Sequence, residues 1–592
     1  MMKKLALVVL SLAAAVICGL AQEVPSQTPP EVTPKEPPKE KAKPVTAPAM
    51  PQSPRSPEGD KPMNPDMPNL TIKAIVIVKT RAEIHEEGIP SAMGLEVKDI
   101  PFLSKPDFQD LMAPFVGRLL TENAIRDIED SIILYSRRHG KIMVDVILPG
   151  QDISNGILQL WFLEGQVGKI TVENPGRKWF SDKLILGNLR LKPGDSIDSG
   201  KLNDDLGWLN NNPFRQVNVA FKPGDKLGYT DVELRVDDRF PLRPYFGYED
   251  SGTRFTGEER LLAGFNWGNV FGLDQQLNYQ YSTDVNFDLV QANSASYVIP
   301  LPWRHTFTLY GSYVDGKAEF STAGVNTVAN VHSWQVSARY GIPLTTIGNY
   351  QHQLSFGFDF KRGNNDLEAG GSTVLPYVNT DVAQFVAAYN GLLPDPWGRT
   401  TFGTEFYYSP GGISGDNSDT TFNQLRTDSK AEYFYARATL ERITGLPWDF
   451  SWDMRAVGQV ASARLHPDEE LAIGGYNTVR GYDERVVQGD DGVIVNNELR
   501  TPAFFPSRMV GVPQVDDGLQ FLGFFDYAFE RQETSLPADG NDPNVTLYSV
   551  GGGLRYTIRK NLSVRFDYGF PLTQQSLNEH QSRGHVGVLL SF

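Results

Sequence analysis

The last eight residues alternate strictly. Val586, Val588, Leu590 and Phe592 fall on one side of an extended backbone, with His585, Gly587, Leu589 and Ser591 on the other. A two-residue period marks a strand with unlike faces. The pattern recurs upstream. Leu277, Tyr279 and Tyr281 oppose Asn278, Gln280 and Ser282, and Leu354, Phe356, Phe358 and Phe360 oppose Ser355, Gly357, Asp359 and Lys361. Phe434, Ala436, Ala438 and Leu440 oppose Tyr435, Arg437, Thr439 and Glu441, and Leu562, Val564, Phe566, Tyr568 and Phe570 oppose Ser563, Arg565, Asp567 and Gly569. A single strand on a soluble core would alternate in the same way. Charge confined to one face, with aromatics on the other, suits a wall between lipid and a wet lumen.

From about Phe240 to the carboxy terminus, sixteen such segments can be counted, an even number as closure requires. The gaps between them are of two kinds. One set is mostly short and Pro-containing: Ile299-Pro300-Leu301-Pro302, Gly341-Ile342-Pro343, Leu393-Pro394-Asp395-Pro396 and Gly445-Leu446-Pro447. The other is long and polar, as at 410–430 and 531–544. Short turns on one side and long loops on the other predict a 16-stranded antiparallel transmembrane β-barrel over 239–592.

Two small α/β units precede it. In 70–165, residues 70–78 read as an apolar strand, and Thr121 caps a helix with Ile125, Ile128, Ile132 and Tyr135 on one face. Arg137, Arg138 and His139 fill its last turn and Gly140 ends it. Ile142, Val144, Val146 and Leu148 then alternate into the turn Pro149-Gly150-Gln151-Asp152, and 157–164 completes a hairpin. Residues 166–238 repeat the plan. A strand at 169–172 precedes a short helix capped by Ser181 and a second helix striped by Leu202, Leu206 and Leu209, stopped by Asn210-Asn211-Asn212-Pro213. Val217, Val219 and Phe221 pair with Val232, Leu234 and Val236 across Lys222-Pro223-Gly224-Asp225. Two tandem β-α-α-β-β units, or one larger α+β domain, fit this pattern.

The amino terminus changes the compartment. Lys3, Lys4 and the apolar stretch 5–20 form a secretory leader, with small residues around Gly19-Leu20-Ala21 for cleavage and Gln22 as the mature start. The one cysteine, Cys18, lies inside it. Lipidation there is the alternative, although Ile17 is bulky for that signal. Residues 22–69 hold 14 prolines among Lys, Glu, Ser and Thr, and read as an extended linker.

The net charge of −16 argues against a nucleic-acid footprint. Eight histidines are scattered without metal-ligand spacing. Gly411-Gly412-Ile413-Ser414-Gly415 fails the nucleophile-elbow spacing, and no phosphate loop is present. The carboxylate pairs Glu258-Glu259 and Glu469-Glu470 read as solvated loop residues. The chain is therefore expected to be no enzyme and to need no cofactor.

Residues 243–284, opening Arg-Pro-Tyr-Phe-Gly-Tyr-Glu-Asp-Ser-Gly-Thr-Arg-Phe, resemble the first barrel strands of two-partner secretion transporters, the haemolysin secretion/activation family. Asn211-Asn212-Pro213-Phe214-Arg215-Gln216-Val217 is similar to that family's second polypeptide-transport-associated (POTRA) domain. Val479, Arg480, Gly481 and Tyr482, after Gly474-Gly475 and between the eleventh and twelfth strands, match its loop-6 tetrad. A second family motif on strand thirteen maps to Phe524, Asp526 and Ala528, with Ala standing where the family has Gly. By alternation these three face the lumen. The resemblance implies that loop 6 folds inward so that Arg480 meets Asp526.

It also implies two periplasmic POTRA domains and an outer-membrane pore that recognises an unfolded exoprotein, through its amino-terminal secretion domain, and passes it to the surface. Folding of the cargo outside would supply the driving force. An insertase of the same superfamily is the alternative, and a passive porin a further one. Partners implied are the exoprotein, outer-membrane lipid and the barrel-assembly machinery, which would read Phe592. Many family members carry a lumen-plugging helix near the amino terminus; none is evident in 22–69.

Overall fold

The computed structural model describes residues 60–61, 69–322, 325–369, 372–533, 544–575, 578 and 580–592. The leader, Cys18 and all of the Pro-rich stretch except Asp60, Lys61 and Asn69 lie outside the described residues. The chain divides between Arg239 and Phe240 into two compact units, each described by itself.

The first unit holds two sheets. One is built from β1 (Ala74–Val78), β2 (Gly94–Val97), α1 (Pro106–Met112), α2 (Glu122–Arg138), β3 (Val144–Ile147) and β4 (Ile157–Glu164), with sheet order β2-β1-β4-β3. All five residues of β1 are buried, which explains why this strand reads as a continuous apolar run rather than an alternating one. Ile75 and Ile77 pack under Ile125, Ile128 and Ile132 of α2, while Ala74, Val76 and Val78 are covered by Ile84, Ile89 and Ala92. The Thr121 hydroxyl accepts from the Ala124 N–H at 3.1 Å, and Gly140 takes the positive φ (84°) that ends the helix. The strand expected over 70–78 is confined to 74–78, and β2 and α1 carry no alternation or stripe that marked them in advance.

The other sheet comes from β5 (Gln166–Glu173), α3 (Asp182–Gly187), α4 (Ser199–Leu209), β6 (Arg215–Pro223) and β7 (Tyr229–Asp238), in order β5-β7-β6. β5 and β7 run parallel and β6 and β7 antiparallel, so the last strand is central, as β4 is in the first sheet. Ser181 and Asp198 cap the two helices through the Leu184 and Lys201 N–H groups.

The second unit is a closed sixteen-stranded antiparallel barrel. Its last strand, Arg583–Ser591, pairs with its first, Leu242–Glu249, over Gly587↔Glu249 to Ser591↔Tyr245. Asp359, Asp381, Asp526, Asp567 and His585 are fully buried on the inside, whereas Phe356, Phe385, Phe525, Phe566 and Leu590 lie open on the outside. A one-residue slip would exchange these sets, and a charge on the lipid face costs about 2–4 kcal/mol at the midplane, so the parity of every strand is strongly held.

At the end where the chain enters and leaves the barrel, five of the seven turns carry an exposed aromatic, Phe271, Trp303, Trp397, Trp448 or Phe504, and Phe592 adds a sixth. This is an interfacial girdle. Phe592 is fastened there by its N–H on the Pro244 carbonyl at 3.1 Å.

At the opposite end, not every connection is a long loop of the kind expected there. Strands five to eight (Thr306–Thr322, Val325–Pro343, Gln351–Ala369 and Ser372–Asp395) run to 17, 19, 19 and 24 residues. About 9–11 residues suffice to cross a bilayer, so two of the outer connections are prolonged hairpins. Alternation continues past the lipid band there, with Asp315 and His332 pairing cross-strand at 3.1 Å.

Candidate functional site

Barrel strands eleven (Ser451–Ala461) and twelve (Asp491–Arg500) are joined by loop 6, which carries the tetrad. Arg480 is 2% exposed and rests on Asp526 of strand thirteen (Asp517–Arg531), which is fully buried. Its Nε and Nη2 donate to the two carboxylate oxygens, each at 2.8 Å, and its main-chain N–H adds a third bond at 3.1 Å. The fork of the guanidinium matches a carboxylate in plane, which lysine cannot do. Nη1 reaches Glu498 at 2.6 Å and lies 3.6 Å from Asp567. The Phe524 ring stacks beneath the guanidinium, 3.6 Å from its carbon to the ring centroid.

A charge buried so deeply persists only in a balanced surround. Arg500 bonds Glu498 and Asp453, and Arg555 and Arg565 both bond Asp567. Four guanidiniums (480, 500, 555, 565) thus face four carboxylates (453, 498, 526, 567).

The other tetrad members fit the wall by shape. Gly481 has φ +93°, and a Cβ on it would lie 2.6 Å from the Gly569 carbonyl carbon. A Cβ on Gly569 would likewise meet the Gly481 nitrogen at 2.6 Å, so the two backbones touch because neither residue has a side chain. The Gly481 N–H donates to His585 Nε2 at 3.1 Å. The Tyr482 hydroxyl sits among the Tyr548 and Thr573 carbonyls (2.9 and 2.8 Å) and accepts from the Thr573 N–H at 3.1 Å. Val479 packs with Leu471, Ile473, Ile494, Leu547 and Ala528. The methyl that Ala528 carries in place of Gly's hydrogen is therefore absorbed as core, and does not push the loop away.

The stem of loop 6 is held separately, by residues the sequence did not single out. Glu469, read in advance as a solvated loop acid, is 2% exposed. It pairs with Lys361 of strand seven at 2.5 Å, and accepts from Tyr435 at 2.7 Å and Gln384 at 3.1 Å. Arg426, beside the helix Asp419–Leu425 in the preceding outer loop, binds Asp490 at 2.7 Å and Glu470 at 2.8 Å. In a ring of sixteen, strand seven lies opposite strand fifteen, which bears Asp567. Loop 6 therefore crosses the lumen, pinned at both walls. The one advance signal for this was parity: Lys361, Arg565 and Asp567 fall on the lumen face of their strands.

The family described as "Haemolysin secretion/activation protein ShlB/FhaC/HecB" matches residues 228–527, just over half of the chain. The chain belongs to that family. This transporter is 21% identical over 493 residues to the heme/hemopexin transporter protein HuxB of Haemophilus influenzae, covering 81% of this chain and 83% of that one. It is 23% identical over 484 residues to the outer membrane transporter CdiB of Escherichia coli O6:K15:H31 (79% and 77% covered). Among solved structures, CdiB from Escherichia coli superposes with a TM-score of 0.72 at 18% identity, covering 92% of this chain and 94% of that one. CdiB from Acinetobacter baumannii follows at 0.64 and 17%, covering 93% and 94%. The transporter is thus an outer-membrane pore of two-partner secretion, with its POTRA domains in the periplasm, that moves an exoprotein to the cell surface, a reading the comparisons support over that of an insertase.

Proposed function

We propose that the transporter receives the amino-terminal secretion domain of its exoprotein on the open edge of β6, then passes the extended chain through the barrel as loop 6 leaves the lumen. The observation that carries the first step is the state of that edge. Asn210 folds back on Val217, its amide donating to the carbonyl at 3.0 Å and its oxygen accepting from the N–H at 2.6 Å. The backbone groups of Val217 therefore point away from β7, and by alternation so do those of Val219 and Phe221. Asn210 closes the edge at one residue, and the next two remain open to an incoming strand.

Loop 6, pinned on opposite walls, supports a closed resting pore. The Arg480 network is specific and balanced, so it holds the tip in one register until cargo competes for the lumen. Phe592 is the terminal aromatic that the barrel-assembly machinery reads. The test of the edge is Val219→Pro, which removes an outward N–H without taking a bond from the β6-β7 ladder. With Val219→Ala controlling for lost packing, Val219→Pro should block capture and secretion of the exoprotein while outer-membrane levels stay normal. Secretion at the rate of the alanine control would refute strand addition at this edge.

A further inference from the structure

Barrel strands twelve and thirteen are joined at the turn end by 501–516, whereas strands eight and nine need only 396–397. The long connection first prolongs strand twelve. The Thr501 N–H donates to the Phe521 carbonyl at 2.9 Å, and Phe504 and Leu519 exchange both backbone bonds at 2.8 Å. The Phe504 ring then meets Phe521, a lipid-facing residue, edge-on at 6.0 Å. The connection thus leaves the wall on its lipid side.

Asp517 shows why. It shares the parity of Leu519 and Phe521, yet is 4% exposed. A carboxylate on the outer face needs a polar lid, and Ser507 supplies it, with its N–H at 3.0 Å and its hydroxyl at 2.5 Å. Tyr556 of the neighbouring strand donates to the same carboxylate at 3.1 Å. The lid is the single helical turn Pro506–Met509, tied back by the Val512 N–H on the Ser507 carbonyl at 2.8 Å. Its other side is apolar and bare. Met509 is 81% exposed and Val510 75%, with Phe505 and Val512 beside them. The Arg508 guanidinium lies 4.5 Å from the Phe505 ring centroid, and Arg559 of the adjacent turn is fixed on the Gln514 carbonyl at 3.0 Å.

We infer that 505–512 is an interfacial membrane anchor. Phe505, Met509, Val510 and Val512 enter the acyl boundary of the leaflet at the turn end, with Arg508 and Arg559 at its phosphates. The occupant is a phospholipid surface for two reasons. The knob is continuous with the lipid-facing wall through Phe504 and Phe521, and the Asp517 lid seats it over the outer face, not over the lumen. Strands twelve and thirteen also carry Glu498 and Asp526, so the anchor holds the receptor for Arg480 at a set height in the bilayer.

The test uses the full chain with Cys18→Ser and Val510→Cys, labelled with an environment-sensitive fluorophore and placed in nanodiscs of phosphatidylcholine and phosphatidylglycerol. Emission should shift to the blue relative to the same label at Ile413→Cys in the opposite end's loops, and shallow doxyl-lipid should quench it more than deep doxyl-lipid. A label at 510 as unquenched as that at 413 overturns the inference. A photo-crosslinking residue at Met509 gives the second readout. Adducts with phospholipid support the anchor, and adducts with residues 70–238 or with another protein overturn it.

Discussion

Arg480→Ala tests the latch most directly. The substitution removes two 2.8 Å bonds to Asp526, one 2.6 Å bond to Glu498 and the stack on Phe524. Asp526 keeps the Asn496 amide at 2.9 Å and the main-chain N–H of residue 480 at 3.1 Å, but stays fully buried with its countercharge gone. Stranding one partner of a buried pair costs about 3–5 kcal/mol. At about 1.4 kcal/mol per factor of ten, the closed position of loop 6 weakens by roughly two to three and a half orders of magnitude.

The amide of Gly481 reports this quantity, because its N–H is closed on His585 at 3.1 Å and exchanges only when the tip lifts. Its hydrogen exchange in the purified protein should quicken by that factor, and cells carrying the variant should lose exoprotein secretion while the barrel still assembles. Arg480→Lys keeps the charge but loses the planar fork, and should fall between. Asp526→Ala removes the same pair, so the double variant should lose less than the sum of the singles. Wild-type secretion with unchanged exchange at Gly481 in Arg480→Ala would end the latch hypothesis. Fully additive losses would show that the two residues act separately.

Gly481→Ala changes no charge yet places a methyl 2.6 Å from the Gly569 carbonyl carbon, so it should also release the tip, as raised single-channel conductance in planar bilayers. Phe592→Asp puts a charge into the aromatic girdle and should lower outer-membrane levels of heat-modifiable barrel; normal abundance would refute the assembly role. In the periplasmic unit, burial, with help from Asp145 and Asp130, lifts Glu129 from 4.5 to about 7. The folded state then holds that proton more tightly than the unfolded one. A fragment of residues 70–238 should lose stability as pH rises from about 4.5 to 7, and Glu129→Gln should flatten the dependence; urea midpoints at pH 5.5 and 7.5 that agree in the parent fragment would contradict this.

The barrel was legible because a membrane wall makes one demand of every strand. Lys361, Arg565 and Asp567 could face only inward, and each such residue sets the parity of its neighbours. Thr121, Ser181 and Gly140 announced helix ends through local chemistry alone. What escaped notice depends on long-range placement. Glu469 reads as a solvated acid until a loop carries it across a lumen to Lys361, 108 residues earlier. β2 and α1 carry no period of their own, because β1 and α2 supply the surface on which they form. The prolonged hairpins of strands five to eight were missed for the opposite reason: alternation marks a strand but contains nothing to show where the bilayer stops.

The two attachments of loop 6 differ in chemistry, and the difference bears on how a pore can open without leaking. At the tip, planar forks, a stacked ring and a glycine-on-glycine contact impose one geometry, so the closed register is unique. At the stem, Arg426 forks onto Asp490, but the contact with strand seven is softer: Lys361 is a point charge on a flexible chain, and Tyr435 and Gln384 are neutral donors, so the acid of Glu469 can exchange partners at smaller cost. An extended cargo entering the lumen offers backbone donors of the same kind as Tyr435 and Gln384, but nothing equivalent to the bidentate guanidinium. The Glu469 contact is therefore the one that cargo can loosen first, with the Arg426 fork in place and the tip still fastened to the wall formed by strands twelve to sixteen. Release in that order keeps the segment tethered until cargo displaces the tip, and the geometry of the tip contacts then returns it to a single closed position.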